Sequence, residues 1–251
     1  MLFFQAKEVK MPFADIHIHA LCGVDDGAKT KEDMFAMLDA AYADGTRLMC
    51  LTPHFYPGMF GEHHKRTAES FELLKKYASE KYPDMELYQG NEIRYAPNCH
   101  EWIYDGVCYT MGGTRYVLME FSFTESSEKI IRGLESMFNS GFLPILAHAE
   151  RYPRISIPEL RKLRDRGVLI QVDSMSLMRK FGFKEWLRSK RLLGGYIADF
   201  ISSDAHDVQG RPPQMSECFG YVKKKFGERY AQALFYDNAR EIFSEKNERE
   251  V

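Results

Sequence analysis

The stretch DIHIHALCGVDDG (15–27) sets two histidines one residue apart on an apolar run and closes on two aspartates before a glycine. Residues i and i+2 of a strand share a face, so His17 and His19 can reach a single ion. Histidine and aspartate are costly to bury without a partner. A strand that ends in both therefore asks for a metal. The fold then depends on which other strands end near this one.

Seven apolar runs recur along the chain: FADIHI (13–18), RLMCLT (47–52), MELYQG (85–90), YVLMEF (116–121), LPILAH (143–148), GVLIQV (167–172) and ADFISS (198–203). Amphipathic runs lie between most of them. TKEDMFAMLDAAYADG (30–45) has an N-cap threonine, apolar residues at helical spacing and a terminal glycine. Residues 62–82, 126–141 and 156–167 read in the same way, and from Ser216 onward the chain is mostly helical in pattern. YDGVCYTMGGTRYVL (104–118) reads as a small hairpin, with the glycine pair near its turn.

Seven strands alternating with helices imply βα units and a parallel sheet, open or closed. Ligand-type residues follow six of the seven runs. In a barrel the C-terminal strand ends converge on one mouth, whereas in an open sheet they spread along a line. The pattern therefore predicts an α/β barrel with a metal site at the C-terminal ends of its strands.

The first strand offers His17 and His19, and its loop Asp25 and Asp26. TPHF presents His54, GNEIRY Glu92, MEF Glu120, AHAERY both His148 and Arg151, and SSDAHD both Asp204 and His206. Singly, a strand-end histidine is ordinary structure and DDG an ordinary turn. Together, five of the eight histidines gather with four carboxylates. Such a mixed set suits zinc, manganese or iron rather than calcium. Nine donors exceed the needs of one ion, so two or three ions with bridging carboxylates are expected. His63, His64 and His100 fall at helix starts or loops, the first two within reach of a rim.

The chain has 251 residues, 45% hydrophobic and 28% charged, enough for a sizeable core in one large or two small domains. Its formal charge of −2 argues against nucleic acid or an anionic membrane as a partner. No apolar run is long enough to span a membrane, and the start lacks a signal peptide's apolar core. The five cysteines form no CxxC pair and read as reduced cytosolic thiols. None is followed six residues later by arginine, the spacing that cysteine phosphatases use.

Taken in order, DIHIH, TPH, GNEI, LMEFS, AHAERY and SDAH resemble the polymerase-and-histidinol-phosphatase (PHP) superfamily. HxHxLxGxDDGA, AHAERY and SDAHD…GRPP resemble its bacterial tyrosine-phosphatase branch, which accompanies capsule and exopolysaccharide assembly. The resemblance runs from residue 15 to about residue 213. It implies a distorted seven-stranded (βα)7 barrel, TIM-like, within a single domain. It also implies three divalent ions, with manganese favoured and iron or zinc as alternatives. The first would take His17, His19, Glu92 and Asp204. The second would share Glu92 and take Glu120 and His148. The third would take Asp26, His54 and His206. Cys22 stands where the family more often has proline.

By the same resemblance Arg151 and Arg211 grip the phosphate, which suits a guanidinium fork. Adjacent ions lower the pKa of a shared water, and the resulting hydroxide attacks phosphorus. Asp207, His63 and His64 are the candidates for a general acid. The implied substrate is the phosphorylated tyrosine-rich tail of a bacterial tyrosine kinase, in the cytoplasm. The aromatic loop FYPGMF (55–60) suits stacking of phenol rings or plain rim packing.

A histidinol-phosphate phosphatase would use the same metals with a closed pocket. A nuclease would need a basic stripe, which the chain lacks. A non-catalytic metal-binding regulator would not need a full ligand set. A homo-oligomer would need an exposed apolar helix face, which the sequence does not single out. Residues 1–12 form a leader outside the motifs, free to be flexible or to dock on a neighbouring chain.

Overall fold

The computed structural model describes residues 11–60 and 64–244. Its strands are β1 (Phe13–Ile18), β2 (Thr46–Leu51), β3 (His54–Phe55), β4 (Glu86–Gln89), β5 (Glu92–Arg94), β6 (Tyr116–Glu120), β7 (Leu143–Leu146), β8 (Leu169–Asp173) and β9 (Phe200–Ser202). Its α-helices are α1 (Lys31–Asp44), α2 (His64–Lys81), α3 (Cys99–Tyr104), α4 (Ser127–Asn139), α5 (Ile157–Asp165), α6 (Ser174–Leu177), α7 (Phe183–Gly194), α8 (Ser216–Phe226), α9 (Glu228–Gln232) and α10 (Asn238–Ser244). Most of the leader, residues 1–10, and His63 lie outside the described residues.

The strands form a three-stranded sheet, β1-β2-β4, and a six-stranded sheet, β3-β5-β6-β7-β8-β9. Every pairing is parallel. The sheets curl until the end of β1 meets the segment after β9. There the His19 N–H donates to Ala205 O at 2.9 Å and the Asp204 N–H to His17 O at 2.9 Å.

All seven expected runs form strands, but the expected count of seven is not what the hydrogen bonds show. Two further strands, β3 and β5, follow β2 and β4 after breaks at Thr52–Pro53 and Gly90–Asn91. Pro53 has no N–H to continue a ladder. Its carbonyl instead accepts from Glu92 N–H at 3.1 Å and from Asn91 Nδ2 at 2.9 Å. The breaks hand the chain from one sheet to the other and set His54 and Glu92 side by side in register.

The expected hairpin at 104–118 is absent. The segment holds the end of α3 and a 3-10 turn, Met111–Gly113, before β6. Gly112 and Gly113 adopt φ of 60° and 77°, but within this turn rather than between two strands. Tyr109 N–H donates to Asn91 Oδ1 at 2.8 Å, so a side chain holds the segment where a strand partner was expected.

The other helices follow local signals. The Thr30 hydroxyl accepts from Asp33 N–H at 3.1 Å and the Asp33 carboxylate accepts from Thr30 N–H at 3.0 Å. This reciprocal cap starts α1, and Gly45 at φ 118° ends it. Ile16 and Ile18 of β1 are fully buried in apolar clusters, Ile16 beside Leu48, Leu118, Ile145 and Phe200. Alternation puts His17 and His19 on the other face of the strand.

Candidate metal centre

His17 and His19 have no solvent exposure. Their Nε2 atoms lie 3.1 Å apart. Glu92 Oε2 stands 3.3 Å from His17 Nε2 and 3.4 Å from His19 Nε2. Asp204 Oδ1 stands 3.4 Å from both. Ligand bonds of ~2.1 Å at tetrahedral angles would put donor atoms ~3.4 Å apart. His17, His19 and Glu92 therefore have the spacing of ligands around one ion, with Asp204 beside both histidines.

The far sides of the rings show which nitrogens face the cluster. His19 Nδ1 is 2.7 Å from Asp25 Oδ2, and His17 Nδ1 is 3.3 Å from Gln171 Oε1. Both partners can only accept, so each Nδ1 carries a proton and each ring turns its Nε2 inward. His206 repeats the arrangement, with Nδ1 3.1 Å from its acceptor, the Asp204 carbonyl. Its Nε2 lies 3.3 Å from Asp26 Oδ1. Imidazole nitrogens and carboxylate oxygens thus converge on one small volume. Glu92 Oε2, His54 Nδ1 and His206 Nε2 are buried without a hydrogen-bond partner. A cation is what such a donor set fits.

Three overlapping groups could hold ions among the described residues. They are His17 with His19 and Glu92; His54 with Glu92 and Glu120; and His19 with Asp26, His54 and His206. Seven of the nine expected donors fall in these groups, with Asp204 and His148 beside them; His54 joins Asp26 and His206 as expected and also joins Glu92 and Glu120. Its Nδ1 is 2.9 Å from Glu92 and 3.3 Å from Glu120, while its Nε2 is 3.5 Å from Asp26. One ring therefore stands between two groups. His148 reaches the cluster through Nε2, 2.8 Å from Glu92 Oε1.

The electrostatics point the same way. Burial alone would make the His54 imidazole harder to charge, yet the Glu92 carboxylate lifts it to about 10. Burial pushes Glu92 up, but His17 and His54 beside it hold it well below the usual carboxylate range. Ionised carboxylates here demand positive charge, from protons on the imidazoles or from metal ions on the same lone pairs.

Two non-glycine residues at strand ends adopt left-handed backbone, His148 at φ 34° and Asp204 at φ 51°. Such conformations cost energy and concentrate where a site requires them. The turn at His148 starts a 3-10 segment, Ala149–Arg151, closed by Arg151 N–H to His148 O at 2.8 Å. It brings Arg151 back over the site. Arg151 Nη1 lies 3.4 Å from Asp204 Oδ2, and Arg211 Nη2 donates to the same oxygen. Asp204 therefore shows one oxygen to the histidines and the other to both guanidiniums. The Arg151 guanidinium lies 4.2 Å from the Phe123 ring centroid and 5.1 Å from that of Phe181. Phe181 also lies 5.7 Å from the Arg211 guanidinium.

Sequence reasoning assigned no role to Asp25 or Gln171, which orient the histidines. Asp25 was visible as the neighbour of Asp26, whereas Gln171 sits inside a strand with no motif around it. Its Oε1 also accepts from His148 N–H at 2.6 Å, and its Nε2 donates to Asp173 at 3.0 Å. The aromatic loop contributes Phe60, stacked on His54 with centroids 5.7 Å apart. Phe123 and Phe181 were missed. Asp207 spends its carboxylate on the turn that follows it, accepting from Gln209 N–H at 2.6 Å. His64 stacks on Tyr109 at 4.7 Å and belongs to none of the metal-type groups. Cys22 joins none of them either, and all five cysteines are free.

The parallel α/β fold gathers a cluster of metal-type donors at the ends of its strands. The chain belongs to the CpsB/CapC family of capsular polysaccharide synthesis, whose model matches residues 13–244. It is 34% identical over 239 residues to the tyrosine-protein phosphatase CpsB of Streptococcus pneumoniae, covering 92% of this chain and 98% of that protein. It is 30% identical over 219 residues to the tyrosine-protein phosphatase YwqE of Bacillus subtilis, covering 85% of each. A crystal structure from work on these two proteins, described as unique metal-dependent tyrosine phosphatases, matches with a TM-score of 0.84 at 28% identity, covering 92% and 94%. The phosphotriesterase homology protein of Escherichia coli, at 10% identity and a TM-score of 0.61, shares the fold. No described helix is long and apolar enough to cross a membrane.

Proposed function

We propose that the chain is a metal-dependent phosphotyrosine-protein phosphatase that regulates capsular or exopolysaccharide synthesis. Its substrate is the autophosphorylated tail of a bacterial tyrosine kinase, met in the cytoplasm. The observation that carries this reading is Asp204, which joins the cluster of metal-type donors to two arginines flanked by aromatic rings. The named relatives support the choice of tyrosine as the phosphorylated residue.

In this reading three ions are held. His17, His19, Glu92 and Asp204 hold the first. Glu92, Glu120 and His148 hold the second, with His54 beside them. Asp26, His54 and His206 hold the third. Manganese is favoured, with iron or zinc suited by the same donors. When bound, the ions supply Lewis acidity and an activated water. The protein supplies the rest. Arg151 and Arg211 hold the phosphate oxygens through planar forks, and Phe123 and Phe181 keep the forks in place. Asp25 and Gln171 keep the imidazole lone pairs aimed inward. A phenolate leaves with a pKa near ~10 and needs little proton donation, which agrees with the absence of a free acid at Asp207. The two sheets, bridged at their breaks by hydrogen bonds, act as one distorted seven-stranded barrel within a single catalytic domain.

The test is phosphate release by manganese-loaded protein from a phosphotyrosyl peptide, with histidinol phosphate beside it. Turnover of the peptide, lost in His148→Ala, is expected. Turnover of histidinol phosphate alone would overturn the tyrosine reading.

A further inference from the structure

We propose that the loop 178–182 and helix α7 form a docking surface for an acidic segment of the substrate, adjacent in sequence to the phosphotyrosine. The proposal rests on the phosphatase reading above and adds a second contact to it.

The formal charge of the chain is −2, yet residues 179–191 carry six cations and one carboxylate. Arg179, Lys180, Lys184 and Arg191 are exposed and Lys190 is half-buried. Phe183, a large apolar side chain, is 56% exposed among them. The Arg179 guanidinium lies 5.5 Å from the Phe183 centroid and 5.6 Å from that of Trp186. Lys190 Nζ lies 4.3 Å from the Trp186 centroid. Cations over ring faces hold charge and aromatic surface together. The exposed Phe183 ring thus lies within a cluster of cations that no acid of the segment neutralises except Glu185.

Two contacts tie this surface to the catalytic mouth. Phe181 lies against both Arg151 and Arg211 and leads, two residues on, to Phe183. Arg188 spends its charge inward, donating to Glu150 O at 3.0 Å and Ile155 O at 3.0 Å. It thereby pins α7 to the turn that carries Arg151. The surface is thus held at a fixed place beside the phosphate grip. Its cations are strung along a loop and a helix with rings between them. A run of cations spread over thirteen residues offers partners to several carboxylates of a peptide rather than to one phosphate. Continuity with the mouth favours substrate over a membrane as the occupant.

The test compares two phosphotyrosyl peptides of equal length, one flanked by glutamate and aspartate, the other by glutamine and asparagine. p-Nitrophenyl phosphate serves as the small substrate. The proteins are the metal-loaded wild type, a Lys184→Glu/Lys190→Glu variant and Phe183→Ala. The expected result is a KM about tenfold higher for the acidic peptide in the charge-reversal variant, with kcat and the other two substrates unchanged. The wild-type preference for acidic flanks should shrink as salt is raised. An acidic-peptide KM that the variants do not move would overturn the proposal while leaving the phosphatase reading intact. Binding of the unphosphorylated acidic peptide, followed by fluorescence anisotropy, needs no turnover. Variant-sensitive binding without turnover of any phosphotyrosyl peptide would keep the docking surface and sink the phosphatase reading. Variant-sensitive binding to phosphatidylglycerol vesicles, with no peptide binding, would reassign the surface to a membrane.

Discussion

Asp25 accepts a hydrogen bond from His19, with Oδ2 2.7 Å from the ring Nδ1. The same oxygen accepts from the His54 backbone N–H at 2.9 Å, so one carboxylate orients the His19 ring and anchors the backbone that carries His54. Removing such an outer partner typically weakens metal binding 10–100-fold. Asp25→Ala is expected to lose about that much affinity, and Gln171→Leu a comparable amount through His17 and His148. Titration of metal-stripped protein with manganese, read by calorimetry, checks both. Wild-type affinity in both variants would show that the histidines need no such support.

Arg151 and Arg211 meet at Asp204 Oδ2 and have side chains 25% and 28% exposed, within reach of a ligand. Arg151→Ala and Arg211→Ala should each lower kcat/KM on the order of 10²-fold without changing metal content. Lysine should rescue neither, because it cannot supply a planar fork. The double variant should lose less than the product of the single losses, since the two residues share a partner. Steady-state kinetics on a phosphotyrosyl peptide, with metal analysis of each variant, decides this.

Gly27 packs where no side chain fits. A Cβ there would stand 1.9 Å from the His19 carbonyl oxygen. That oxygen accepts from Ala28 N–H at 3.1 Å, which folds the loop back onto the end of β1. Gly27→Ala should push the loop outward, take Asp26 away from His206 and His54, and cost about 1–3 kcal/mol. Chemical denaturation gives the stability, and phosphatase assays give the loss of turnover. A fully active variant would show that Asp26 is not required.

Asp39 ties α1 to the end of α2. It accepts from Tyr77 and Tyr82 hydroxyls at 3.0 and 2.9 Å and from Lys81 Nζ at 2.7 Å. Burial pushes its carboxyl up, but the bonds from Lys81 and the two tyrosines outweigh it and hold it below the usual 3.8. A depressed folded value means that the stabilisation is complete above the unfolded value and is lost as pH falls through the folded one. Asp39→Asn should therefore cost about 1 kcal/mol near neutrality. The gap to wild type should stay constant down to about pH 4 and close in stronger acid. Urea denaturation of both proteins at pH 7, 5 and 3 measures it.

Local chemistry made much of this legible in the sequence. The capped helix at 30–45, the seven apolar runs and all nine metal-type donors were readable because each depends on nearby residues or on a motif. The breaks at Pro53 and Gly90 were not, since interrupting a strand matters only once the neighbouring sheet offers a new partner. The hairpin misled because Gly112 and Gly113 signal a turn without saying what the turn joins. Gln171 was invisible for a different reason. A buried glutamine in an apolar strand looks like an exception until His17, from the far end of the chain, and His148, which follows the neighbouring strand β7, arrive beside it.

The divided carboxylate of Asp204 has a consequence for turnover. On the proposed reading, a phosphate arriving at Arg151 and Arg211 meets guanidiniums that already hold an anion belonging to the protein. It must share them or displace it. The same holds for inorganic phosphate after the reaction, when Asp204 is ready to reclaim both arginines. On the proposed reading the site carries a built-in competitor against its own product, which weakens product inhibition and speeds release.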